Sequence, residues 1–196
     1  SDLTISMVAL VLPFLLAFVV SAALSPIGRT IATRLGYLTK PAVPTVLPKP
    51  LFGGAVVALS LFGTGAALGL LQALPVLAVG SAALFLLGLF DDLFGVRPYT
   101  KLVALIAVAS VFLSFDLRLQ WSSSQTVDGI VTLFWIVGVT AAFSLLDSLE
   151  GLCGGIALIA GTAFLVTVSL IAADTSGQSL QYVIVLLGAI GGVLLF

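Results

Sequence analysis

The chain has 196 residues, 61% of them hydrophobic and 8% charged, with a net charge of -1 and a mean hydropathy of +1.33. A soluble domain carries about 25% charged residues; this chain cannot cover a water-facing surface and is read as an integral membrane protein. It has no His and a single Cys, Cys153, which excludes an intrachain disulfide, a Cys-based metal cluster and the commonest general base of neutral pH, and no basic patch with interleaved aromatics points to nucleic acid.

The apolar runs predict about seven membrane helices, roughly 3–24, 52–71, 75–90, 101–115, 129–146, 152–173 and 181–196. The expected fold class is all-α, a polytopic membrane helix bundle forming a single domain over 1–196. The first run has no basic residues before it, so it reads as a retained helix and not as a signal peptide. A loop with Arg29, Arg34, Lys40 and Lys49 follows, and Pro48-Lys49-Pro50-Leu51-Phe52-Gly53-Gly54 opens the second helix. The third helix closes on Asp91-Asp92, with Arg97 and Lys101 just beyond. After the fourth comes Arg118 alone, then the WSSSQT turn. The fifth closes on Asp147, with Glu150 beyond it, and Gly151, Gly154 and Gly155 lead into the sixth. No repeat at a fixed period is evident.

With alternating crossings, six basic residues lie on one side and Arg118 on the other. The positive-inside rule then puts the N-terminus outside and Asp91, Asp92, Asp147 and Glu150 in the cytoplasm. These four are half of the eight acidic residues, and a carboxylate at the end of a membrane helix is costly to desolvate. Asp116, Arg118, Asp128 and Asp174 fall on the opposite face, which reads as solvated loop.

Without His or a Cys pair, chemistry must rest on Asp, Glu, Lys, Arg, Ser, Thr and the backbone, a set that suits hard cations such as Mg²⁺ and phosphate ligands. Asp91 and Asp92 are candidate Mg²⁺ ligands, and one of them a candidate base. The plainer alternative is a solvated helix end paired with Arg97 or Lys101. Asp147 and Glu150, three apart, share a face if the helix continues, and with the glycines nearby can contact a nucleotide; the alternative is a polar turn. Lys49, at a helix N-terminus, can meet phosphate or simply snorkel. Arg97 and Lys101 are either positive-inside anchors or phosphate clamps.

Four stretches, in this order, resemble the polyprenyl-phosphate sugar-1-phosphate transferases, the family of the UDP-N-acetylglucosamine and muramoyl-pentapeptide phosphotransferases. They are PKPLFGGAVVALS, LLGLFDDLFGVRPYTKL, TLFWIVGVTAAFSLLDSLEGLCGGIALI and YVIVLLGAIGGVLLF. The resemblance implies transfer of a sugar-1-phosphate from a UDP-sugar to a polyprenyl phosphate at the inner (plasma) membrane, with Mg²⁺ as cofactor and UMP released. By position, it implies that Asp91 and Asp92 lie near lipid phosphate and metal, Lys101 holds phosphate, and Asp147 and Glu150 lie on the nucleotide side. The departures are specific. Two family asparagines fall on Ala141 and Ser144; the family's D-G-x-D-G reads Asp147-Ser148-Leu149-Glu150-Gly151; Thr39 replaces an acidic residue, and a basic first-loop motif is missing. Phe196 precedes the family's G-D-x-G-S segment, which implies part of a longer chain or a shortened relative, inactive by itself. Two other readings follow from these departures and from the acidic cluster: a non-catalytic partner subunit, in a homodimer or complementing an enzyme, and, more remotely, a small ion-coupled transporter.

Overall fold

The structure, a computed structural model, describes residues 2–35, 53–115, 117–119, 124–146, 152–171 and 177–195. Eight helices form among them: α1 Asp2–Leu35, α2 Gly53–Ala67, α3 Leu70–Ala73, α4 Pro75–Phe94, α5 Pro98–Ser114, α6 Gln125–Leu146, α7 Leu152–Ile171 and α8 Gly177–Val193. There is no strand among the described residues. The protein is thus an all-α polytopic membrane bundle, and each of the seven predicted runs overlaps at least one helix. Three of the helices are long and apolar enough to cross a membrane, over Val11–Ile31, Pro75–Phe94 and Gln125–Leu146, and four shorter apolar helices accompany them.

Two boundaries differ from expectation for local reasons. The first helix does not stop near residue 24. It continues through Pro13 and Pro26 to Leu35, so Arg29 and Arg34 are exposed helix residues, not loop residues. In this polar stretch Thr30 and Thr33 donate to the Pro26 and Arg29 carbonyls one turn back, at 2.8 and 3.0 Å, so their hydroxyls find partners within the helix, and Arg34 lies in the last turn, where a cation meets the negative end of the helix dipole. The second run breaks at Gly69, whose φ of 71° is a left-handed conformation that ends α2 before the four-residue α3.

Two compact units are distinguished by their packing: residues 1–74 with 154–196, and residues 75–153. In the first, α1 packs on α2 and α8. Ala17, Ser21 and Ser25 recur every fourth residue along α1, and all three are fully buried. Gly188 and Gly192, also four apart, approach that stripe. A β-carbon at 188 would lie 2.5 Å from the Phe14 carbonyl oxygen, and one at 192 would lie 2.6 Å from that of Phe18. Small residues let membrane helices approach closely enough for hydroxyls to tie backbones together. Ser21 Oγ donates to the Ala189 carbonyl on α8 at 2.6 Å, and Ser60 Oγ on α2 donates to that of Ala17 at 2.8 Å. Ala17, Leu61, Leu70, Tyr182 and Val185 form the buried apolar cluster around them.

In the second unit α5 packs against both α4 and α6. The α4–α5 contact depends on Gly80, where a β-carbon would fall 1.8 Å from the tip of the Phe112 ring. The expectation of a plain solvated loop before α6 is corrected at Asp128. This residue lies in the first turn of α6 and is only 6% exposed. Its carbonyl accepts from the buried Thr132 hydroxyl at 2.6 Å, and that same hydroxyl oxygen accepts the Leu119 amide at 2.9 Å. The 117–119 segment is thereby tied onto the helix, and the Asp128 carboxylate lies near the positive end of the α6 dipole. Asp116 and Asp174 fall outside the described residues.

Candidate functional site

Within the 75–153 unit, a short hairpin sets the geometry. Gly95 has φ 62°, and its amide donates to the Asp91 carbonyl at 2.8 Å, a left-handed glycine cap that closes α4. Arg97 is extended (φ -63°, ψ 141°) before Pro98, which occupies the first position of α5. A residue preceding proline is held out of the helical region, and proline suits the first helical turn, where no amide donor is needed. Three residues, 95–97, therefore turn the chain between the last turn of α4 and the first turn of α5. Asp91 and Lys101 are brought side by side.

Lys101 Nζ donates to Asp91 Oδ2 at 2.5 Å and to Ser144 Oγ, near the end of α6, at 2.5 Å. One ammonium thus joins three helices at one end of the unit. The ion pair is neither buried nor freely solvated, with side-chain exposures of 26% for Lys101 and 21% for Asp91. Each charge alone would be poorly placed. A carboxylate at a helix C-terminus and an ammonium at a helix N-terminus both oppose the dipole. Paired, they offset one another and remain accessible.

The structure separates the settings of the adjacent carboxylates. Asp91 lies against Lys101, whereas Asp92, about 100° further round the helix, is exposed. The ion pair with Lys101 that the sequence offered as the plainer alternative is present. Arg97 is exposed in the connection. Lys49, Asp147 and Glu150 lie outside the described residues. Ser144 is the site residue that sequence reasoning missed as a contributor. It was noted only as a departure from the family pattern, and the signal available was its place on one of that pattern's polar positions.

The described residues contain no group of three His, Cys, Asp or Glu side chains able to hold a metal. Mg²⁺ does not require one. It usually takes one or two carboxylates and fills its remaining positions with water and substrate phosphate. Lys101 engages Asp91 through Oδ2, so Oδ1 is the Asp91 oxygen that a cation would take. Hard oxygen donors beside a lysine, at the end of a membrane helix, fit Mg²⁺ with a phosphorylated ligand.

The Glycosyl transferase family 4 sequence profile matches residues 74–196, a stretch that includes Asp91, Lys101 and Ser144. The chain is 25% identical over 166 residues to the probable undecaprenyl-phosphate N-acetylglucosaminyl 1-phosphate transferase of Bacillus subtilis, covering 78% of this chain and 46% of that protein. It is 28% identical over 179 residues to the decaprenyl-phosphate N-acetylglucosaminephosphotransferase of Mycobacterium tuberculosis, covering 79% and 44%. Over 79 residues it is 38% identical to the undecaprenyl-phosphate alpha-N-acetylglucosaminyl 1-phosphate transferase of Thermotoga maritima, covering 40% and 27%. The chain spans less than half the length of each of these relatives.

Proposed function

Because the chain belongs to glycosyl transferase family 4, the polyprenyl-phosphate sugar-1-phosphate transferases, we propose that it serves transfer of a sugar-1-phosphate from a UDP-sugar to a polyprenyl phosphate. The reaction takes place at the cytoplasmic face of the inner (plasma) membrane. An oxygen of the lipid phosphate attacks the phosphorus that carries the sugar. A new P–O bond forms, the bond to the UMP oxygen breaks, and UMP leaves.

The observation that carries this reading is the partly exposed Lys101–Asp91 pair, braced by Ser144, inside the stretch matched by the family. Lys101 would hold a phosphate oxygen by a charge-assisted hydrogen bond. Asp91 and Asp92 would hold Mg²⁺, which neutralises diphosphate charge when bound. Lys49 would meet phosphate, and Asp147 and Glu150 the nucleotide. In such a site the protein contributes mainly positioning and preorganised charge. The carboxylates of Asp91, Asp92 and Asp128 lie in helix-terminal turns, which disfavours an ion-coupled transporter working near the membrane midplane.

The test is formation of a lipid-linked sugar diphosphate from labelled UDP-N-acetylglucosamine. It uses membranes carrying the gene product that contains this sequence, with undecaprenyl phosphate and Mg²⁺. Product that requires both additions is expected. If no UDP-sugar yields product while the lipid phosphate still binds, the non-catalytic partner reading replaces this one; the family asparagines lost at Ala141 and Ser144 and the missing basic first-loop motif are what favour that alternative.

A further inference from the structure

Ser144 behaves unlike Thr140 and Ser110, two other helical hydroxyls of its unit. Thr140, one turn earlier on α6, donates to the Ile136 carbonyl at 2.7 Å, and Ser110 on α5 donates to that of Ile106 at 2.8 Å. Such back-bonding within the helix is the ordinary local choice of serine and threonine. The Ser144 oxygen instead accepts a hydrogen bond from Lys101, 43 residues away on another helix. A lysine ammonium has three donors on a flexible four-carbon stem. With Asp91 alone it can swing about a single contact. A second acceptor on a different helix fixes its position and leaves one N–H of three.

We infer that Ser144 is a positioning residue that, together with Asp91, holds the Lys101 ammonium so that its remaining N–H is presented to a phosphate oxygen of the substrate. This rests on the proposed function for the identity of the ligand, but the bracing of Lys101 does not. The contribution of Ser144 is an acceptor oxygen. Asparagine, whose amide oxygen also accepts, is the conservative replacement, and alanine removes the acceptor. The phosphate can come from the lipid or from the nucleotide sugar, and the two are separated by experiment.

Lys101 is one of three lysines in the chain, so lysine labelled with ¹³C at Cε gives few signals, and Lys101→Arg assigns the relevant one. The two Cε protons of a held ammonium are inequivalent; those of a freely rotating one average. In detergent-solubilised protein, Ser144→Ala is expected to average them, and Ser144→Asn to keep them distinct. Binding is measured in parallel with farnesyl phosphate and with UDP-N-acetylglucosamine as probes. Ser144→Ala is expected to weaken one of the two by about 3- to 10-fold, within the range for the net contribution of an ordinary hydrogen bond, because Ser144 acts only through Lys101, with Ser144→Asn near the parent. The probe affected identifies the phosphate source.

Should Ser144→Ala not be recovered folded, Ser144→Cys, a weak acceptor of nearly the same size, takes its place. Unchanged inequivalence in Ser144→Ala overturns the inference, as does a Ser144→Asn protein that behaves like Ser144→Ala. If Ser144→Ala frees Lys101 but Lys101→Ala alters neither affinity, the phosphate half of the inference falls. The transfer assay above decides the family reading separately.

Discussion

At Asp91 and Lys101, two charges that each oppose a helix dipole are made tolerable by one another. Removing one partner leaves the other at an unfavourable helix end. The pair is partly exposed, so solvent screens much of its Coulomb energy and its net worth to folding is small, within about 1 kcal/mol. Activity and stability should therefore respond differently to the loss of this pair. Lys101→Ala should lower sugar-phosphate transfer by about 10²-fold or more, the scale seen for a lost electrostatic contact at a reacting centre, while thermal unfolding in detergent shifts little. A large loss of stability with transfer preserved would make the pair a structural brace only. Thr132 gives the opposite case. Its hydroxyl accepts the part-buried Leu119 amide, so Thr132→Val should cost about 0.5–1.5 kcal/mol by removing that bond, read as a lowered unfolding midpoint. Little of this was legible in sequence. Asp91-Asp92 stood out because charge at a membrane helix end is rare, but Ser144 and Asp128 did not. A serine in an apolar helix looks the same whether it bonds back to its own helix or reaches across to another. An acidic residue after a polar turn looks solvated until the fold shows it buried, as Asp128 is.

Among the elements, helix existence followed from apolar runs, because a buried or lipid-facing backbone must satisfy its own hydrogen bonds and the helix does so locally. Boundaries depended on other chemistry. Arg29 and Arg34 suggest a loop, yet α1 runs on to Leu35, where a C-terminal arginine suits a helix end that hydropathy alone does not reveal. The partners of each helix were not legible either. Gly80 is one small residue among many until Phe112 is found in the space its side chain would fill. Gly80→Leu should therefore disrupt α4–α5 packing, and with it the placement of Asp91 beside Lys101. The expected cost is about 1–3 kcal/mol, the usual range for overpacking, and transfer should fall along with the unfolding midpoint. Gly192→Leu acts in the other unit, against the Phe18 carbonyl and Ser21 on α1. There the obstacle is backbone, which cannot swing aside as a ring can, so its effect on the midpoint should be the larger of the two. Equal tolerance of both substitutions would contradict the close approaches described.

For the whole molecule, an all-α membrane bundle of family 4 carries a carboxylate–lysine–serine arrangement at helix ends, in the stretch that the family shares. Hard oxygen donors predict loss of activity when divalent cations are chelated and recovery with Mg²⁺, readable as product formed before and after its addition. The departures at Ala141 and Ser144 weigh toward a non-catalytic relative by residue type. The hydrogen bond accepted by Ser144 weighs the other way, because it keeps an acceptor for Lys101. The most direct measurement is UMP released from UDP-N-acetylglucosamine by membranes carrying the gene product, with undecaprenyl phosphate and Mg²⁺, compared with an Asp91→Asn protein at equal abundance. The account predicts release that depends on the lipid phosphate and falls by about 10²-fold or more in Asp91→Asn; release that is equal in the two proteins would contradict it.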